Sequence, residues 1–148
     1  MTTCLDLARR FIGIRELPGR QHHPLIQWGL MLCDYGPETP DEVPWCSAAM
    51  QIPPFLLGLP RSRNAAARSW LAVGEPIELG GTIPGNDVVV LNRGDGPQDP
   101  AILGAPGHVG LYVRHDAAQV WLCAGNQGDE WSIAPFPARK ILGIRRLA

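Results

Sequence analysis

Residues 108–123 read HVGLYVRHDAAQVWLC, and this stretch decides the fold class. Apolar residues recur at every second position on both sides of residues 115–118, a segment short enough to close a β-hairpin. Pairing Arg114 with Gln119 gives one apolar face, which comprises Val109, Leu111, Val113, Val120, Leu122 and Ala124. The stretch therefore predicts two antiparallel strands, in which Gly125 lies opposite His108.

The chain before this hairpin predicts helices. Apolar spacing and helix-start signals indicate helices over residues 5–14, 24–33 and 65–73, and another that begins at residues 45–46. Pro53-Pro54 should interrupt this last helix, because proline removes a helical hydrogen bond. Further strands are predicted at residues 87–91 and 141–145. Helices followed by strands indicate an α+β fold, with N-terminal helices packed on a small antiparallel sheet.

The composition of the chain indicates one ordinary globular domain. Its 148 residues are 45% apolar and 18% charged, so residues 1–148 are predicted to bury a core and form a single domain. The net charge of −1 argues against nucleic-acid binding, which needs a basic surface. The first residues lack a signal-peptide pattern, and no apolar run is long enough to span a membrane. We therefore expect synthesis in the cytoplasm.

Cys46 is the candidate nucleophile. It opens a predicted helix, where the positive end of the helix dipole and the free backbone N–H groups favour the thiolate. The alternative is a buried structural cysteine, which is the usual fate of a free thiol. Cys4, Cys33 and Cys123 form no CxxC pair, and we expect them to be reduced and to serve only in packing.

His108 is the candidate base. It stands at the start of a predicted strand on the same face as Gly110, so little side-chain volume lies beside its ring. Asn126 follows Gly125, and a bend or bulge at that glycine would bring the Asn126 amide onto His108 and orient the ring. Gln127 is the competing candidate for this third role.

Several motifs resemble those of phage and prophage peptidoglycan hydrolases of the NlpC/CHAP type. The resemblance lies in residues 13–19, 41–49, 67–71, 107–112, 125–127 and 142–146, which occur in the same order. It covers nearly the whole chain and implies a papain-like fold with a Cys–His–polar triad, here Cys46, His108 and Asn126. Asp41 and Trp45 lie within the nucleophile motif, and we expect them, with Gln127, to support the site or contact substrate.

The resemblance also implies a substrate. The enzyme would be an amidase or endopeptidase that cuts the stem peptides of bacterial peptidoglycan without a cofactor or metal. It would serve as a phage endolysin, as a tail-associated enzyme carried on the virion, or as an injected antibacterial effector, and it would act in the periplasm or cell wall. Carriage on the virion would make phage tail proteins its partners.

Two other classes of protein compete with this interpretation. A non-catalytic component of a phage tail would keep the fold without turnover, although the Cys46 and His108 pattern argues against it. A metal-dependent hydrolase would draw its ligands from His22, His23, His108 and His115. No HExxH or other metal-binding spacing is present, so the metal hypothesis is the weaker of the two.

Overall fold

The computed structural model describes residues 1–17, 23–33, 45–94 and 98–148. Three α-helices and one 3₁₀ helix come first: α1 (Cys4–Arg9), α2 (Pro24–Met31), α3 (Cys46–Leu57) and the 3₁₀ helix Ala67–Ala72. Six strands follow: β1 (Glu75–Pro76), β2 (Asp87–Asn92), β3 (Gly107–His115), β4 (Gln119–Gln127), β5 (Glu130–Pro137) and β6 (Ile141–Arg146). None of the helices in the described ranges combines the length and the apolar character needed to cross a bilayer.

The strands form one antiparallel sheet in the order β1-β6-β2-β3-β4-β5, which confirms the predicted α+β class. One face packs against α1, α3 and the 3₁₀ helix, and the core on this side includes Trp45, Ile52, Trp70, Val88, Val90, Val109, Leu111 and Trp131. The other face carries a second apolar cluster of Val89, Leu91, Tyr112, Val120, Leu122 and Ile144. Because β2 lies between these two clusters, all six of its residues are buried.

Helix α3 continues through Pro53 and Pro54, so the predicted interruption is wrong. The two prolines cannot donate to the carbonyls one turn earlier, and this loss weakens the helix. Residues 46–54 are nevertheless all buried, and packing against α2 and the sheet stabilises the helical path. Gly58, with φ 68°, ends the helix in the left-handed conformation.

Helix α1 is shorter than the sequence predicts, although a capping box between Thr3 and Asp6 begins it firmly. The chain leaves the helix because the following residues pair with β5. The Gly13 N–H donates to the Trp131 carbonyl (2.9 Å), and the Trp131 N–H donates to the Ile14 carbonyl (2.8 Å). Pairing with a distant strand thus overrides the local helical pattern.

The fourth predicted helix is a 3₁₀ helix rather than an α-helix. The Asn64 side chain accepts a hydrogen bond from the Ala66 N–H (2.8 Å), which closes a local turn in place of an α-helical cap. The Ser47 hydroxyl donates to the Asn64 carbonyl (2.6 Å) and accepts from Trp70 Nε1 (3.0 Å). These bonds attach the first turn of α3 to the 3₁₀ segment.

The β3–β4 hairpin has a different register from the predicted one. Arg114 pairs with Trp121 rather than with Gln119. The turn lies further along the chain because the Asp116 carboxylate accepts hydrogen bonds from the N–H groups of Ala118 (2.9 Å) and Gln119 (2.7 Å). Side-chain hydrogen bonding in the turn therefore fixes the pairing next to the turn, where the partner of Arg114 lies two residues beyond the predicted one.

A β-bulge between Tyr112 and Arg114 then shifts the register back by one residue, so that Tyr112 pairs with Leu122 and Leu111 with Cys123. The net one-residue shift from the predicted register exchanges the faces of the β4 side chains. Val109 and Leu111 lie on the helix side, whereas Val120 and Leu122 lie in the opposite cluster with Tyr112. The single apolar face predicted from the sequence is therefore wrong, and both faces of the sheet are covered. Strands β1 and β5 were not predicted.

Strand β4 approaches the first turn of α3 at Gly125. A Cβ atom at Gly125 would lie 2.4 Å from Cζ3 of Trp45 and 2.7 Å from Cβ of Ala49. No side chain fits between strand and helix at this point, so glycine lets the start of α3 lie directly on β4.

Gly125→Ala should destabilise the fold by about 1–3 kcal/mol, the usual cost of overpacking a buried site. The added methyl group must displace the Trp45 ring or move α3 away from β4. Thermal unfolding measures the effect, and Gly80→Ala is the control because a Cβ at Gly80 meets no atom within 4 Å. Equal melting temperatures for the two variants would contradict the close packing at Gly125.

Candidate active site

Cys46 is the first residue of α3, and only 1% of its surface is exposed. Trp45 is the N-cap residue, and its side chain makes no capping hydrogen bond. The first N–H groups of α3 are therefore not used by a side-chain cap, and they point toward the N-terminal end of the helix, where Cys46 lies. The backbone N–H of Val109 lowers the pKa of the Cys46 thiol. The ladder between β3 and β4 ends at the pair of Leu111 and Cys123, and Val109 lies beyond that pair.

His108 is the second residue of β3 and is buried. Its ring lies beside the Cys46 thiol, close enough for each group to shift the pKa of the other. Its Nε2 atom lies 2.9 Å from Oε1 of Gln127. The structure thus brings the predicted nucleophile and the predicted base together, and it places an amide on the far side of the imidazole.

The orientation of the Gln127 amide follows from its other hydrogen bonds. Its Nε2 donates to the carbonyls of Ser132 (2.8 Å) and Leu122 (3.3 Å), so its Oε1 faces His108. An amide oxygen only accepts, and His108 Nε2 therefore carries the proton of this bond. Nδ1 is then the ring nitrogen available to Cys46, and it carries no proton in the neutral ring. This is the tautomer in which His108 can take a proton from the thiol.

The amide that reaches His108 is that of Gln127, not that of Asn126. Ala124 pairs with Ser132 and Gln127 with Glu130, so one extra β4 residue lies between these two pairs. This β-bulge puts Ala124 and Gln127 on the same face of β4, although they are three residues apart. Asn126 lies within the bulge, where its backbone has φ 59°, and it lines the neighbouring cleft.

The pKa values of the pair are shifted toward each other. Burial raises the pKa of Cys46. The hydrogen bonding and charge of His108, together with the Val109 N–H, lower this pKa by more than burial raises it, so the net value is below that of an ordinary thiol. Burial lowers the pKa of His108, but the bond and charge of Cys46 and the bond to Gln127 raise it above the ordinary imidazole value. Both shifts favour a thiolate–imidazolium pair. The pair is lost as the pH falls through the Cys46 pKa or rises through the His108 pKa.

The other cysteines behave differently. All four cysteines of the chain are buried. Burial raises the pKa of Cys4 to about 12 and that of Cys123 to about 11. Of Cys4, Cys46 and Cys123, only Cys46 has a pKa that is shifted toward the thiolate.

A cleft of about 480 Å³ lies beside the imidazole. The Phe136 ring forms one wall, with its centroid 5.0 Å from that of His108. The cationic side chains of Arg93 and Lys140 line the cleft together with the amides of Asn126 and Gln127. The cleft can therefore bind an extended ligand that has both polar and apolar groups. The charged residues that line it in the described part of the chain are basic.

Two supporting residues were predicted from the nucleophile motif. Trp45 is buried against Gly125 and its indole N–H donates to the Glu16 carboxylate, so it contacts protein rather than the cleft. Asp41 lies outside the described residues. The sequence analysis assigned no role to Glu16 or to the Val109 N–H, and no residue-type pattern marks a backbone donor of that kind.

The remaining histidines have local structural partners. His23 Nδ1 accepts from the Leu25 N–H at the start of α2 (3.1 Å), and His115 Nδ1 lies 2.7 Å from the Tyr112 hydroxyl. His22 lies outside the described residues. Within the described ranges, no cluster of three or more histidine, cysteine, aspartate or glutamate side chains could hold a metal ion.

The similarity to known proteins is one of fold. No family model matches the sequence, and no curated protein matches it. Among solved structures, the fold is similar to that of NlpC1 from Trichomonas vaginalis, with a TM-score of 0.55 and 22% sequence identity. The similarity covers 97% of this chain and 42% of the NlpC1 chain, so this chain spans less than half the length of that protein. The chain therefore has an NlpC-like fold.

Proposed function

We propose that this chain is a papain-like cysteine hydrolase that cleaves amide bonds in the stem peptides of bacterial peptidoglycan. The observation that carries the proposal is the array of Cys46, His108 and Gln127, in which the imidazole lies beside the thiol and hydrogen bonds to the amide. A nucleophile at a helix start, a base on a strand and an amide that orients the base form a thiol triad. The NlpC-like fold supports the same class of protein.

The reaction begins from the thiolate–imidazolium pair. The Cys46 sulfur attacks the amide carbonyl carbon, and the carbonyl oxygen becomes an oxyanion. We assign the Cys46 N–H as its donor, because the first N–H groups of a helix have no acceptor within the helix. The C–N bond then breaks, and the His108 Nδ1 proton passes to the departing amine.

The second half of the reaction releases the acyl group. Neutral His108 takes a proton from water, and the resulting hydroxide attacks the thioester carbon. The C–S bond breaks, the stem peptide leaves with a new carboxyl group, and Cys46 returns to the thiolate. Gln127 holds the ring in one tautomer throughout, because its oxygen accepts from Nε2–H in both charge states.

The cleft beside His108 supports a peptidoglycan substrate. Stem peptides carry free carboxylates, and Arg93 and Lys140 supply positive charge where such a peptide would extend past the imidazole. The Phe136 wall would contact the aliphatic parts of the peptide. We propose that Asn126 contributes to this cleft as a substrate-binding residue.

The setting is proposed from the sequence resemblance. The chain would act as a single catalytic domain over residues 1–148, as a phage endolysin or as a tail-associated cell-wall peptidase. The wall would be its partner, and phage tail proteins would be partners in the tail-associated setting.

The experiment that tests this function is digestion of purified cell-wall sacculi, followed by mass spectrometry of the released fragments. We expect muropeptides with new carboxyl and amino termini at one kind of amide bond. Fragments cleaved in the glycan, or no fragments from walls of either common peptide composition, would contradict the proposal.

A further inference from the structure

The segment that follows α1 runs along the start of β5. Besides the bonds of Gly13 and Ile14 to Trp131, the Glu16 N–H donates to the Asp129 carbonyl (3.2 Å). Arg15 pairs with Glu130, and their side chains form an ion pair of 3.4 Å. Residues 13–16, which we call the strap, are therefore attached to the turn that directly follows Gln127.

The same strap also contacts the residue before the nucleophile. The Glu16 carboxylate accepts a hydrogen bond from the indole N–H of Trp45. Trp45 begins α3, because its carbonyl accepts the first helical bond from the Ala49 N–H (2.8 Å), and α3 has no side-chain cap of its own. The indole is thus the side chain through which the start of this helix is anchored.

Packing fixes the indole from its other side. The Trp45 ring lies directly on the backbone of Gly125, two residues before Gln127. Trp45 therefore lies between β4 and Glu16, while the Glu16 backbone holds Asp129, two residues after Gln127. Glu16 thereby links α3, which carries Cys46, to the chain around Gln127, the hydrogen-bond partner of His108.

We propose that Glu16 is a positioning residue, which sets the distance between Cys46 and the His108–Gln127 pair by holding the Trp45 indole. Its carboxylate contacts neither Cys46 nor His108, so it acts through Trp45 alone. The inference rests on the thiol mechanism proposed above but not on its peptidoglycan substrate.

The test is a titration of the Cys46 thiol, followed through the ultraviolet absorbance of the thiolate against a Cys46→Ala blank. In Glu16→Ala the start of α3 loses its anchor and the sulfur moves away from His108. The Cys46 pKa should then rise by about one unit or more, because the opposite charge that lowers it is farther away. Glu16→Gln keeps the acceptor oxygen and should restore a titration close to that of the wild type.

Two further variants separate positioning from charge and from general stability. Trp45→Phe loses the N–H but keeps an aromatic ring, so it should shift the titration as Glu16→Ala does, and the double variant should shift it no further. Arg15→Ala removes the exposed ion pair of the strap and should leave the titration unchanged.

Three results would overturn the proposal. A wild-type titration in Glu16→Ala with only a lower melting temperature would make Glu16 merely structural. A lowered Cys46 pKa in both Glu16→Ala and Glu16→Gln would show that Glu16 acts by charge. If Glu16→Ala does not fold, a wild-type titration in Trp45→Phe would exclude positioning through the indole. In every case wall digestion by the wild type separately decides the proposed substrate.

Discussion

Cys46→Ala should abolish wall digestion, with a loss of turnover on the order of 10⁴- to 10⁶-fold, as expected when the nucleophile of a triad is removed. No other described side chain can replace the sulfur beside His108, because Ser47 hydrogen bonds to the Asn64 carbonyl and to the Trp70 indole instead. The fold should survive, since alanine suits the first turn of a buried helix. Release of muropeptides from sacculi is the measurement.

A second cysteine variant controls for general damage. Cys4→Ala removes a thiol that is equally buried but lies in α1 and has a raised pKa. It should keep wild-type turnover at temperatures where it is folded. Undiminished wall digestion by folded Cys46→Ala would remove the thiol mechanism, whatever the control shows.

Gln127→Ala should slow turnover by a factor on the order of 10 to 10⁴, the range seen when the group that orients a catalytic histidine is lost. His108 Nε2 would lose its acceptor, and the ring could then rotate or adopt the other tautomer. The loss should appear in kcat more than in KM, because Gln127 holds the base and has only a minor part in the cleft. Steady-state kinetics on a soluble muropeptide measure both constants.

The matched control is Asn126→Gly, because Asn126 has φ 59° and glycine keeps that backbone conformation without strain. This variant loses the neighbouring amide and leaves the His108–Gln127 bond in place. We expect a modest rise in KM and little change in kcat. The reverse pattern, with Asn126→Gly slow and Gln127→Ala fast, would give the orienting role to Asn126.

The sequence predicts that Cys46 and His108 lie together, and the structure places them so, because each lies at an element end with a clear signal. Cys46 begins a helix, and His108 begins an alternating strand, so both positions follow from local periodicity. Which amide reaches His108 depends on one extra residue in β4. Nothing in the sequence shows where near Gly125 the extra residue is inserted. The sequence therefore does not distinguish Asn126 from Gln127 as the residue that contacts His108.

The misjudged elements have non-local causes. β5 contains Pro135 and Pro137, which argue against a strand, but β5 is an edge strand, where missing N–H donors are tolerated. Helix α3 passes Pro53 and Pro54 because it is buried on nearly all sides. Local sequence rules describe the secondary structure that a segment prefers in isolation. In β5 and α3, tertiary packing outweighs that preference.

The most direct test of the account is the pH at which the Cys46 thiolate forms. The thiolate absorbance of the wild type should rise at a pH below the ordinary thiol pKa of about 8.5, after subtraction of the Cys46→Ala signal. In His108→Ala the same step should move above that value, because the rise caused by burial is then opposed only by the smaller effects of the Val109 N–H and Arg93. A wild-type thiolate that forms only at or above the ordinary value, or a step that His108→Ala does not move, would contradict the central claim that His108 activates Cys46.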